Sequence, residues 1–247
     1  MRKIVLCLMF FAISSAAFAY RPLMTEDAGV AGKAVFQSEF NFDYLKWGDG
    51  KLENNLLLVL IYGLSDNIEF SAEFPYLYHN NIDNTTQNGL GDISLVLKDL
   101  ILPEGEKNPA FVLKGVVKLD NGDFSKGLGS GDKDFSLFAV ATKGLGRVIL
   151  HAQIGYAWIG KKGSSSLRDI SLFGIAVDYI MTDAFHLVAE IDGNRHPDST
   201  IAEDPRSWLV GFTNKLSEKM IFDLAFRGGL SAASPDSNIT SGLSVTW

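Results

Sequence analysis

Apolar and polar residues alternate one for one along most of this chain. In the stretch Phe36-Gln37-Ser38-Glu39-Phe40-Asn41-Phe42-Asp43-Tyr44, four of the five even positions are aromatic and every odd one is polar or acidic. A helix would scatter those aromatics around its circumference, whereas a strand puts them on one face. The same period returns at Ile68, Phe70, Ala72, Phe74, Tyr76 and Tyr78, and at Val148, Leu150, Ala152, Ile154, Tyr156 and Trp158. It returns again at Phe185, Leu187, Ala189 and Ile191, and at Phe222, Leu224 and Phe226. About twelve such segments are predicted, at 35–47, 54–64, 67–78, 91–102, 110–120, 134–143, 147–159, 168–180, 184–193, 206–216, 219–229 and 238–247. They exceed the ~5–6 residues of an ordinary strand and match the ~9–11 that a tilted strand needs to cross a bilayer.

The connections alternate long and short. Residues 79–90, 121–133, 160–167 and 193–205 are long and polar, while 65–66, 143–146, 181–183 and 217–218 are tight. Outer-membrane barrels pair short periplasmic turns with longer outer loops and an even strand number. The sequence therefore predicts an all-β fold: a closed antiparallel transmembrane β-barrel of about twelve strands over residues 35–247. Closure removes the sheet edges that lipid cannot satisfy. In the last segment Ile239, Ser241, Leu243, Val245 and Trp247 alternate. A final strand ending on an aromatic is the kind of signal that the barrel-assembly machinery reads, so that machinery is an expected partner, together with outer-membrane lipid.

The first twenty residues differ. Arg2 and Lys3 precede the apolar run 4–13 (IVLCLMFFAI), and Ala17-x-Ala19 has the small-residue pattern of a signal-peptidase site. The run is too short for a membrane helix, which needs ~20 residues. Residues 1–19 are thus predicted to be a signal peptide. Residues 20–34 follow as an N-terminal periplasmic segment or a plug folded into the lumen. The 1 Cys of the chain, Cys7, leaves with the signal, which excludes disulfides and cysteine-based zinc sites. A net charge of -7 argues against nucleic acid as a partner.

Three groups of residues carry a family likeness. One is Arg21-Pro22-Leu23-Met24-Thr25-Glu26-Asp27-Ala28-Gly29, with Gly32-Lys33 and Phe36-Gln37-x-Glu39 after it. Another is the pair Gly89-Leu90-Gly91-Asp92 and Gly127-Leu128-Gly129-Ser130-Gly131. The third is the closing stretch Arg227-Gly228-Gly229-Leu230, Ser234-Pro235-Asp236 and Gly242-Leu243-Ser244. Over essentially the whole mature chain the sequence resembles the outer-membrane proteins grouped as "putative MetA-pathway of phenol degradation". The resemblance implies an outer-membrane barrel and transport of small solutes, hydrophobic or aromatic compounds among them. It brings no catalytic residues with it.

With the aromatic faces toward lipid, the alternate residues line the lumen. The candidates are Glu39, Asp43, Glu69, Glu73, Lys98, Lys114, Lys118, His151, His186, Glu190, Asp192, Asp223 and Arg227, and Gln37, Asn41, Arg147 and Gln153 share their parity. A Lys or Arg facing hydrocarbon near the midplane would cost about 2–4 kcal/mol. These charges either form an eyelet that selects a solute or salt-bridge one another to fill a narrow interior. Residues 56–62 (LLLVLIY) are apolar on both faces, which places Leu57, Val59 and Ile61 inside. That is either a greasy track for a solute or a surface against which residues 20–32 pack. The four His fit no H-E-x-x-H spacing and no G-x-S-x-G elbow occurs, so neither a metal nor a cofactor nor catalysis is expected. The function expected is an outer-membrane channel or transporter for small solutes. The alternatives are a non-conducting structural or adhesion barrel and, behind it, a lipid-acting enzyme.

Overall fold

The structure, a computed structural model, describes residues 21–80, 85–162 and 166–247. The expected signal peptide and its cleavage point therefore lie outside the described residues. Alternation makes strands wherever the sequence predicts them. These are β1 (Phe36–Lys46), β2 (Leu52–Gly63), β3 (Ile68–Asn80), β4 (Thr86–Leu90), β5 (Ser94–Leu102), β6 (Ala110–Lys118) and β7 (Asp134–Leu145). Then come β8 (Val148–Trp158), β9 (Ile170–Ile180), β10 (Phe185–Asn194), β11 (Arg206–Ser217), β12 (Met220–Gly229) and β13 (Ser237–Thr246).

Except at β4 and β5, each strand pairs antiparallel with its chain neighbours, and β1 pairs with β13 from Gln37 opposite Thr246 to Lys46 opposite Ser237. Among the described residues the sheet closes on itself, as hydrocarbon requires, and only the far side of the short β4 lacks a ladder partner. β4 and β5 share one partner: β4 pairs with Tyr76–Asn80 and β5 with Ile68–Glu73 of β3. They are two halves of one stave interrupted at Gly91, Asp92 and Ile93, so thirteen strands make twelve staves.

Register fixes the faces. Phe40, Ile154, Ile175 and Ile191 are more than half exposed, while Glu39, Gln153, Ala176 and Glu190 beside them are buried. Exposed aromatics collect at both ends of the apolar band. Phe36, Tyr62, Phe70, Tyr179 and Trp247 lie at the short-turn end, with Tyr44, Tyr76, Tyr78, Phe135 and Trp158 at the long-loop end. Two aromatic girdles flanking an apolar band are the signature of a barrel at home in an outer membrane.

Candidate functional site: the barrel interior

Residues 21–35 enter from the short-turn end, next to the start of β1, and run along the inner wall. The segment has no regular structure, so its backbone groups need partners from the barrel. Ala31 N–H donates to Glu69, Ala28 N–H to Thr142 Oγ1 (2.8 Å) and Glu26 N–H to Gln153 Oε1 (3.0 Å). Further on, Met24 N–H, Thr25 N–H and the Thr25 hydroxyl all donate to the carboxylate of Glu190. Three apolar side chains key the segment into the wall. Leu23 packs on Ala176, Val188, Leu209 and Ala225, and Ala28 on Ala110, Val112 and Val140. Ala31 packs on Val59 and Ile61, with Val35 and Leu57 against them. The wall is also cut back to admit the backbone. A Cβ on Gly63 would collide with the carbonyls of Ala31 and Gly32, and one on Gly174 with the hydroxyl of Thr25.

Charged contacts divide the candidate residues into clusters. Lys98 and Lys114 face each other in register on β5 and β6. Like charges in that position repel, and Glu26 sits between them. Its Oε2 lies 3.1 Å from Lys98 Nζ and its Oε1 bonds Lys114, while Asp27 adds a second contact to Lys98 at 3.1 Å. A second cluster joins Glu190, Asp192 and Arg227, whose guanidinium bonds both carboxylates. A third gathers on β1, β12 and β13, where Arg21 bonds Thr240 and approaches Asp223, while Asn238 lies 3.4 Å from Asp43. Glu39 is 1% exposed and accepts a hydrogen bond from Gln37.

Between these clusters remains a cavity of about 50 Å³, lined by Glu39, Glu69, Glu73, Lys98, Lys114, Val59, Ile61 and residues 26–31. It has room for a few water molecules. Leu57, Val59 and Ile61 are covered by Ala31 and Val35, so they form no open track while the segment is in place.

Three candidates belong to none of these charged clusters, although His151 touches the segment's network through Thr142, the acceptor of Ala28 N–H. Lys118 bonds Asp92, Ser130 and Asp134 at the long-loop end. His151 shares a hydrogen bond with Thr142 and His186 one with Asp178, each within its own pair of strands. Arg147 belongs to none of the clusters. It has the inward parity but sits past the end of the ladder, exposed in the turn before β8.

Several contributing residues carry no signal of their own in the sequence. Asp178 and Thr142 are ordinary strand residues, and Arg21, Thr25, Glu26 and Asp27 stand out only through the family likeness of residues 21–29. The two glycine-rich motifs meet each other. Gly122 and Ser130 N–H donate to Asp92, whose carboxyl is thereby tied to the loop between β6 and β7.

The sequence pattern of one family matches residues 19–247. The chain belongs to the family described as "Putative MetA-pathway of phenol degradation". Among solved structures, this family member resembles the COG4313 outer membrane channel from Pseudomonas putida F1 at 13% identity and a TM-score of 0.73, over 91% of this chain and 100% of that one. It also resembles the beta domain of the Bordetella autotransporter BrkA at 10% identity and a TM-score of 0.55, over 85% of this chain and 98% of that one. At such identities the likeness speaks for the fold, a closed outer-membrane barrel. Comparison with curated protein sequences gives no match.

Proposed function

We propose that the protein is an outer-membrane channel for small solutes, closed at rest by residues 20–34 acting as a plug. One observation carries this reading. The segment along the inner wall is held by hydrogen bonds, ion pairs and three small apolar contacts, and one cavity beside it measures about 50 Å³. A solute passes only when that segment moves, and polar contacts between a segment and a wet wall can be exchanged for water. The solute class follows from the wall that movement would uncover. Leu57, Val59 and Ile61 form an apolar strip on β2, with Glu39 and Glu73 in register on either side of Val59, which suits a small, largely hydrophobic molecule with a polar group, such as a phenol-like aromatic compound. The family description, with its reference to phenol degradation, and the channel from Pseudomonas putida F1 support the same reading. The interior groups are engaged in structural pairs, and the reading assigns none of them a catalytic role. In assembly, the strand ending at Trp247 serves as the signal to the insertion machinery.

Single-channel recording in a planar bilayer tests the proposal. The mature protein is expected to conduct weakly and intermittently, and a chain lacking residues 20–32 to conduct steadily. A tight seal from both proteins would overturn the channel and favour a structural barrel. Equal, large conductance from both would overturn the plug.

A further inference from the structure

The cavity beside the segment carries more negative charge than its surroundings neutralise. Lys98 and Lys114 are both engaged by Glu26, and Lys98 also by Asp27. Glu39, Glu69 and Glu73 line the same space, and none of them has an ion pair among the described residues. Glu69 accepts from Ala31 N–H and Glu39 from Gln37, neutral donors that leave the charge in place. A carboxylate held away from bulk water without a cation is costly to keep ionised. Register sets the geometry. On β2, Val59 stands between Glu39 and Glu73, and Ile61 between Gln37 and Ser71. An apolar floor is thus framed by carboxylates at one end and by an amide and a hydroxyl at the other, with Val30 and Ala31 beside it. Ser71 is an observation independent of the acids. It is 6% exposed, it lines the cavity, and its hydroxyl has no hydrogen-bond partner among the described residues.

The occupant that suits this space is cationic, small and able to donate. A cavity of about 50 Å³ admits a molecule of only a few heavy atoms. Among the described residues no group of acids or histidines converges as a metal site would. A cation that reaches separate acceptors through its own N–H groups fits better, and the floor of Val59 and Ile61, with Val96 beside it, suits a short alkyl tail. We propose that the cavity is a binding site for a small primary ammonium ion, held between Glu39 and Glu73 with Ser71 as a further acceptor. Residues 29–31 form part of its wall, so the complete site exists only with the segment seated. By linkage, a bound ion then favours the seated segment, and the site doubles as a latch on the channel. The latch, though not the binding, rests on the plug reading of residues 20–34.

The probe is methylammonium. Saturation-transfer NMR on the mature protein in a neutral detergent is expected to show it bound. Tetramethylammonium, which has the charge but no N–H, is expected to give no signal, and potassium to displace methylammonium much less well than ammonium does. Glu73→Gln is expected to abolish the signal and Ser71→Ala to weaken it, with the folding of each checked by heat-modifiable migration. Ser71→Ala covers the case where Glu73→Gln fails to fold. In planar bilayers at constant ionic strength, methylammonium at about ten times its Kd is expected to lower the open-to-closed ratio of the wild-type about tenfold. The proposal is overturned if methylammonium gives no signal, which would mean carboxylates neutralised by protons instead. It is also overturned if tetramethylammonium or potassium matches methylammonium, or if binding is unchanged in both variants. Binding with no effect on opening would overturn the latch. A wild-type that conducts as steadily as the chain lacking residues 20–32 would remove the plug and the latch together, while the NMR signal still decides the site.

Discussion

Glu26 has the most to lose among the interior residues. It bridges two lysines that the register of β5 and β6 sets face to face, and it is 4% exposed. Removing one partner of a buried ion pair costs about 3–5 kcal/mol, because the charges left behind have neither water nor counter-ion. Glu26→Ala is therefore expected to loosen the segment and raise the open probability in single-channel records, with the barrel still folded. Gly174 tests the same contact from the wall. Its missing Cβ is the space taken by the Thr25 hydroxyl, so Gly174→Val is expected to dislodge Thr25 from Glu190 and also increase conductance. Glu73 faces the cavity from β3. Glu73→Lys is expected to move the reversal potential under a salt gradient toward anion preference, and an unchanged potential would place Glu73 outside the ion path. The lysines and acids were legible as inward-facing from parity alone. Their partners were not, because Glu26 and Asp27 lie in an irregular segment about seventy residues or more from Lys98 and Lys114 in the chain, and no periodicity records that meeting.

Strands were the most legible elements, and most of their ends fall within two residues of the expected ones. Alternation is a local property enforced at every position by lipid outside and polar groups inside, so it survives whatever the neighbouring strands do. The exception is instructive. Thr86-Gln87-Asn88 in β4 has no apolar face and reads as loop, yet it pairs with β3 beyond the apolar band, where there is no lipid to demand one. The break after β4 is held by the loop between β6 and β7. Asn121 accepts from Ile93 N–H and donates to the Gly91 carbonyl, replacing the ladder bonds lost there. Asp92→Ala removes the acceptor of Gly122 and Ser130, and it is expected to expose residues 119–133 to proteolysis without unfolding the barrel. Within that loop Asp123 caps a single 3₁₀ turn, Phe124–Lys126. The Ser125 hydroxyl, with smaller help from Lys126 and the Ser125 N–H, holds the Asp123 carboxyl below its ordinary value. A lowered carboxyl stabilises the turn above the ordinary aspartate range and ceases to as pH falls through the lowered value. The Ser125 amide resonance is expected to lose its downfield shift in that acid range.

At the scale of the whole molecule the barrel is closed by its two end strands. Trp247 N–H donates to the Phe36 carbonyl at 2.9 Å and its indole N–H to Ser38 Oγ at 3.2 Å, so the last residue is stitched to the first strand. Deleting Trp247 is expected to lower the yield of heat-modifiable barrel in outer membranes severalfold while sparing barrel refolded in detergent, which separates recognition during assembly from intrinsic stability. By itself the sequence determined the class of fold, the number of staves and which side of each strand meets lipid. These follow from the hydrophobic effect acting on successive residues, and each strand answers to it independently. Tertiary structure alone decided what the interior does. Arg147 has the right parity and lies outside the lumen because its strand has ended. Leu57, Val59 and Ile61 have the right parity and are covered, because an irregular segment found a wall shaped by Gly63 and Gly174 to receive it. Whether a charge lines an open path or bonds a plug depends on which strands closure brings face to face, and that is a property of the closed sheet rather than of any stretch of chain.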